Sequence, residues 1–177
     1  MKVLVTYSSG YGSTKEVAER IAHILGKDNG LKVLTQSIDD VEHIERFDAV
    51  VVGSSVRADR PLANVRDFFA KNIDMLKQKH VALFAVCLAA NNKAGRKKVK
   101  KEYLSQITSK YPQIKPISEE AFGGKIDFDL LNPVMQQLMM RVLEKTGIET
   151  KGTVDTRDWS VVESWADQLR KDLAKAA

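Results

Sequence analysis

Seven consecutive residues near the start of the chain, Ser8-Ser9-Gly10-Tyr11-Gly12-Ser13-Thr14, combine glycines with hydroxyls in a way that suits phosphate. They follow a short apolar run, Val3 to Tyr7, and precede a segment of helical periodicity. A strand-to-helix junction offers free backbone N–H groups at the positive end of a helix dipole, which favours an anion. Gly10 and Gly12 let the backbone curl, and Ser8, Ser9, Ser13 and Thr14 can donate hydrogen bonds. The first cation is Lys15, just beyond. The triphosphate pattern GxxxxGK[ST] is absent, and GxGxxG fails because Lys15 stands where the third glycine belongs. A phosphoacceptor site would need carboxylates clustered after the first strand, and none is there. Neutral donors in a tight loop fit a monophosphate held without charge neutralisation.

Other reactive residue types are sparse. Cys87 is the single cysteine and lies in the apolar run Val81 to Ala90, where it reads as a small hydrophobe on a strand. His23, His43 and His80 have no metal-ligand spacing, so no metal is expected. The net charge is +5, much of it from Arg96, Lys97, Lys98, Lys100 and Lys101. This run reads first as a solvated helix face, with an anionic membrane surface or substrate as the alternative. Nucleic acid is not expected, because no aromatics interleave with the basic residues. No run approaches the roughly 20 apolar residues of a membrane span. Lys2 is followed by too short an apolar run for a signal peptide, so a cytoplasmic location is expected, with peripheral membrane contact left open.

The elements that must position the loop alternate regularly. Strands are expected at 2–7, 31–36, 47–53, 80–89 and 114–122. Between them a helix at 14–25 places Val17, Ile21 and Leu25 on one face, with Ser13-x-x-Glu16 as a capping box. A second helix opens at Pro61 and turns Leu62, Val65, Phe68, Phe69 and Leu76 inward. A basic helix at 92–110 buries Val99, Tyr103, Leu104 and Ile107. The last, at 158–174, aligns Trp159, Val162, Trp165, Leu169 and Leu173 for packing. Such alternation predicts one α/β domain over 1–177, with a five-stranded parallel sheet in the order 2-1-3-4-5 between two helical layers. Ligands of that topology bind beyond the carboxyl ends of strands one, three and four, which selects loops 8–14, 54–60 and 88–95. Residues 123–153 break the rhythm. They read as an insertion whose Met-rich segment after Pro133 carries Leu138, Met139, Val142 and Leu143 on an apolar face. The insertion either completes the core or serves a substrate or membrane surface.

The run TYSSGYGSTKEVA, with a strand ending VVGSSVR, resembles flavodoxin. The insertion and the ending VDTRDWSVVESWA resemble the menaquinone-dependent protoporphyrinogen oxidase branch of the flavodoxin-domain proteins. The resemblance implies FMN as cofactor. It assigns the FMN phosphate to Ser8, Ser9, Gly10, Gly12, Ser13 and Thr14, with Tyr11 in the same loop. It frames the ring with Gly53, Ser54, Ser55, Val56 and Arg57 on one side and Leu88, Ala89, Ala90, Asn91 and Asn92 on the other. Gly53 would permit close approach of the isoalloxazine, and Arg57 would face an acidic substrate or the reduced flavin.

The function implied is oxidation of a tetrapyrrole, protoporphyrinogen IX, with electrons passing through FMN to a quinone. No side chain is singled out as acid or base, and the oligomeric state is left open. The alternatives are an electron-transfer flavodoxin and an FMN-dependent quinone or NAD(P)H reductase. Carrier flavodoxins are acidic and sandwich the ring between aromatics. This chain is basic and has no aromatic in 54–60 or 88–95, which argues against a diffusing carrier.

Overall fold

A computed structural model describes residues 1–27, 30–57, 60–144 and 151–176. Strands β1 (Lys2–Ser8), β2 (Lys32–Ser37), β3 (Ala49–Arg57), β5 (His80–Val86) and β6 (Ser118–Phe122) run parallel in the order β2-β1-β3-β5-β6. This is the expected doubly wound order. One strand was not foreseen: β4 (Arg60–Pro61) folds back antiparallel on the end of β3.

Alternation along the central strands divides the apolar residues between two layers. Val3, Val5, Val51 and Phe84 face helices α1 (Ser13–Leu25) and α6 (Trp159–Lys175), where Val17, Ile21, Val162 and Leu169 meet them. Leu4, Val50, Val52 and Leu83 face α2 (Ala63–Leu76) and the helical stretch 93–110. Full burial of each large side chain stabilises the fold by roughly 1.5–3 kcal/mol. Trp165 packs against Phe84 and Phe122, with ring centroids 6.2 and 5.6 Å away, and its indole N–H donates to Ser118 Oγ at 2.8 Å. Trp165 and Trp159 are thus partly buried against the core, the packing role their spacing predicts.

Boundaries shift where backbone donors run out. Pro116 cannot donate, so the last parallel strand starts at Ser118 rather than 114, after a turn closed by Ile114 N–H on Tyr111 O at 3.0 Å. The second helix starts at Ala63, because Pro61 belongs to β4. The basic helix is α3 (Lys93–Val99), a turn of π-helix (Lys100–Leu104) and α4 (Ser105–Lys110). It buries the four predicted residues, Val99, Tyr103, Leu104 and Ile107. Lys97, Lys98 and Lys101 are exposed, and Lys100 pairs with Glu120 at 3.1 Å.

The insertion forms a unit of its own. Strands β7 (Lys125–Asp127) and β8 (Thr153–Asp155) pair antiparallel, and α5 (Pro133–Glu144) lies between them in sequence. Ile126, Phe128, Leu131 and Leu143 are its core, with Met135, Met139, Met140, Val154 and Leu88 packed against them. The inward face of α5 thus runs through Met135, Met139 and Leu143. Leu138, expected on that face, points outward and is 53% exposed. The side chain of Val142 lies outside the described residues.

Candidate functional site

The register places the three candidate loops side by side. Ser8 pairs with Ser54, Ser54 with Ala85 and Ser55 with Val86, so β1 and β5 end beside Ser54 and Ser55 while β3 runs on to Arg57. Beyond β1 the chain turns at Gly12, whose φ of 89° lies in the left-handed region. Its Cβ position meets no atom within 4 Å, so glycine is required there by conformation alone. The turn is closed by Gly12 N–H donating to Ser9 Oγ at 3.0 Å.

Gly12, not Ser13, caps α1, and no side chain caps that terminus. The expected capping box does not form, because Ser13 is already the first helical residue and Glu16 turns to Arg157. The first intrahelical bond is Glu16 N–H to Gly12 O at 3.1 Å. The amides of Ser13, Thr14 and Lys15 therefore point out of the helix end without backbone acceptors. Thr14 is fully buried, and its Oγ1 has no hydrogen-bond partner. A buried hydroxyl without a partner is unfavourable by about 1–3 kcal/mol. An anion at this helix end would satisfy the amides.

The remaining predicted residues have distinct surroundings. Ser8 is buried on the α2 side of the sheet and donates to Asn64 Oδ1 at 2.6 Å, while Asn64 donates to Asp39 at 2.9 Å. Gly10 and Tyr11 are exposed, Tyr11 by 54%. Ser54 is buried; its hydroxyl donates to Ser55 O at 2.8 Å and accepts from Leu62 N–H at 3.1 Å, which ties down the β3–α2 connection. The Oγ of Ser55 is buried and without a partner. In step with Val51 and Gly53, it faces the α1 side of the sheet, as Thr14 does. Val56 packs partly into the core. Arg57 ends β3, and its side chain lies outside the described residues, as do Ala58 and Asp59.

Gly53 has a different reason from the one expected. A Cβ there would stand 2.1 Å from Phe84 Cζ, so the glycine makes room for a core ring. On the far side, Leu88–Ala90 form a 3-10 turn after Cys87, ending the strand earlier than the expected 89. Leu88 leans on the insertion and Ala90 on the main core. Asn92 caps α3 through Gly95 N–H at 2.9 Å, and its amide donates to Asn91 Oδ1 at 2.9 Å.

Residues 4–155 match the model of the flavodoxin domain. The chain belongs to the flavodoxin-domain family. A protein named protoporphyrinogen IX dehydrogenase [quinone], from Escherichia coli K12, is 24% identical, with 96% of this chain and 94% of that one covered. Among solved structures, a flavodoxin from Streptococcus pneumoniae TIGR4 aligns over 100% of both chains with a TM-score of 0.62 at 16% identity. An archaeal flavodoxin aligns over 99% of both with 0.59 at 19% identity.

Two groups of residues in this flavodoxin-domain chain have no part in the sequence-based assignment. Asn64 fixes the Ser8 hydroxyl from α2, and no sequence pattern signals a residue so distant in the chain. Gly123 and Gly124 fasten the base of the insertion. A Cβ on Gly123 would lie 2.0 Å from Thr156 O, and Gly124 O accepts Thr156 N–H at 2.9 Å. The adjacent glycines were a visible sign of close backbone approach.

Proposed function

We propose that this protein binds FMN at the α1 terminus and is an oxidoreductase that moves electrons from a reduced substrate to a quinone, with a porphyrinogen as the reduced substrate. The observation that carries the cofactor assignment is the cradle itself. Gly12 turns the chain, the amides of Ser13, Thr14 and Lys15 have no backbone acceptor, and Thr14 in the same first turn carries a buried hydroxyl without a partner. Ser9 acts indirectly by holding Gly12, and Ser55 offers a second buried hydroxyl along the sheet end. Bound FMN supplies the two-electron chemistry, and the chain supplies position and electrostatics.

The substrate assignment is supported by the Escherichia coli relative, which spans the same length as this chain, and by the insertion. The insertion packs on Leu88, in the loop expected to wall the ring, and so lies next to that position. Its outer surface leaves Leu130, Val134 and Leu138 exposed by 81, 76 and 53%. Such a surface suits an apolar macrocycle, a quinone or the lipid that carries one. The exposed Lys97, Lys98 and Lys101 would add attraction to anionic lipid. No helix among the described residues is long and apolar enough to cross a membrane.

The test is anaerobic. Protein loaded with FMN should be reduced by a porphyrinogen and reoxidised by a quinone, with loss and return of flavin absorbance. Reduction by NAD(P)H in place of the porphyrinogen would identify a reductase. Failure of the porphyrinogen to reduce the loaded protein would exclude this substrate.

A further inference from the structure

The side chain of Arg157 is only 4% exposed, and all three of its guanidinium nitrogens donate to carboxylates. It donates to Asp155 from Nε at 2.8 Å and Nη2 at 2.6 Å, and to Glu16 Oε2 from Nη1 at 2.7 Å. Its carbon lies 4.7 Å from the centroid of the Trp159 ring. These partners belong to separate parts of the molecule. Asp155 ends β8, the return strand of the insertion. Glu16 lies in the first turn of α1, next to the converging amides. Arg157 itself is anchored from behind, because neighbouring Thr156 is bonded to Gly124 in both directions. Thr156 N–H and Oγ1 donate to Gly124 O at 2.9 and 3.0 Å, and Thr156 Oγ1 accepts Gly124 N–H at 3.1 Å.

Charge makes this arrangement more than a brace. Glu16 is a carboxylate within one turn of a helix end that would hold a phosphate of like sign. Paired with Arg157, which it shares with Asp155, its field at that end is partly cancelled. Unpaired, it opposes the incoming anion at a range where exposed charges are only partly screened. Asp155 is held below the usual carboxylate range by its bonds to Arg157, and the guanidinium is correspondingly held protonated by Asp155 and Glu16.

We propose that Arg157 is a positioning residue for the phosphate end of the cofactor site, joining the stem of the insertion to α1 and drawing down the negative charge of Glu16 beside the anion. The inference rests on the FMN reading. It also means that the phosphate site and the stem of the insertion at Asp155 share one ionic joint.

The experiment compares FMN with riboflavin, which lacks the phosphate, by flavin fluorescence titration at low and high salt. The wild-type protein and Arg157→Met, Arg157→Lys, Glu16→Gln and Glu16→Gln/Arg157→Met are measured, with thermal melting as a control for folding. Arg157→Met should weaken FMN about three- to tenfold at low salt and less at high salt, leaving riboflavin unchanged. The double variant should recover most of that loss, because the opposing carboxylate is gone, and Arg157→Lys should fall between. Glu16→Gln alone should tighten FMN. That variant decides the matter if Arg157→Met does not fold. Equal losses for both flavins, no rescue in the double variant, or no effect of Glu16→Gln on FMN would overturn the proposal. A wild-type protein that binds FMN and riboflavin alike would instead overturn the phosphate reading on which it stands.

Discussion

The ring of Phe84 occupies the space beside Gly53 that any side chain there would need: a Cβ would meet Phe84 Cζ, Cε2 and Cε1 at 2.1, 2.5 and 2.7 Å. The two residues pair across β3 and β5. Phe84 cannot swing aside, because Phe122 and Trp165 flank it, with ring centroids 6.0 and 6.2 Å away. Gly53→Ala should therefore destabilise the fold by about 1–3 kcal/mol. Adding Phe84→Leu should relieve part of the clash. Urea denaturation of both variants checks this, and an undiminished midpoint for Gly53→Ala would show that the ring can move.

Thr14 separates stability from binding. Thr14→Val keeps the shape and removes a buried hydroxyl that has no partner in the protein, so the ligand-free fold should be as stable or more so. FMN affinity should fall by about 1–3 kcal/mol, the value of a lost hydrogen bond to a charged group. Melting curves with and without FMN read both effects, since bound ligand raises the melting temperature by mass action. A variant that binds FMN as tightly as the wild type would remove Thr14 from the site.

The insertion should be separable from the sheet. Among the described residues, Leu88 is the one side chain outside it in its core cluster. Replacing residues 127–150 by a short polar link that retains Gly124, Thr156 and Arg157 should leave the fold and FMN binding in place. Turnover with a porphyrinogen or quinone should collapse with the loss of the surface that positions them. Undiminished turnover in the shortened protein would assign the substrate surface elsewhere.

Glu119 predicts a pH effect of known sign. Its Oε1 is buried without a hydrogen-bond partner, and burial pushes the carboxyl above its usual range, partly offset by the nearby Lys100 ammonium. Below the unfolded value, near 4.5, the group is protonated in both states and carries no penalty. As pH rises through that value toward the raised folded one, ionisation increasingly favours the unfolded chain. Glu119→Gln should thus be more stable than the wild type at neutral pH, with the gap closing in acid. Denaturation at a series of pH values tests this, and a gap independent of pH would reject it.

Local patterns determined the strand–helix alternation and the Ser-Gly loop at 8–14. The 3.6- and 2-residue periods place Val17, Ile21 and Leu25, or Val50 and Val52, on their layers whatever lies far away in the chain. The Ser-Gly run needs only the strand before it and the helix after it to become a cradle. Tertiary structure decided whatever depends on distant partners. Gly53 looked like an opening for a ligand until Phe84 was placed against it. Glu16 looked like a cap for Ser13 until Arg157 arrived from the other end of the chain. Leu138 and Leu143 both fit an apolar stripe, and only the packing of β7 and β8 turned one outward and the other in. Periodicity reports which residues can share a face; what covers that face is set by contacts across the chain, and those have no local signature.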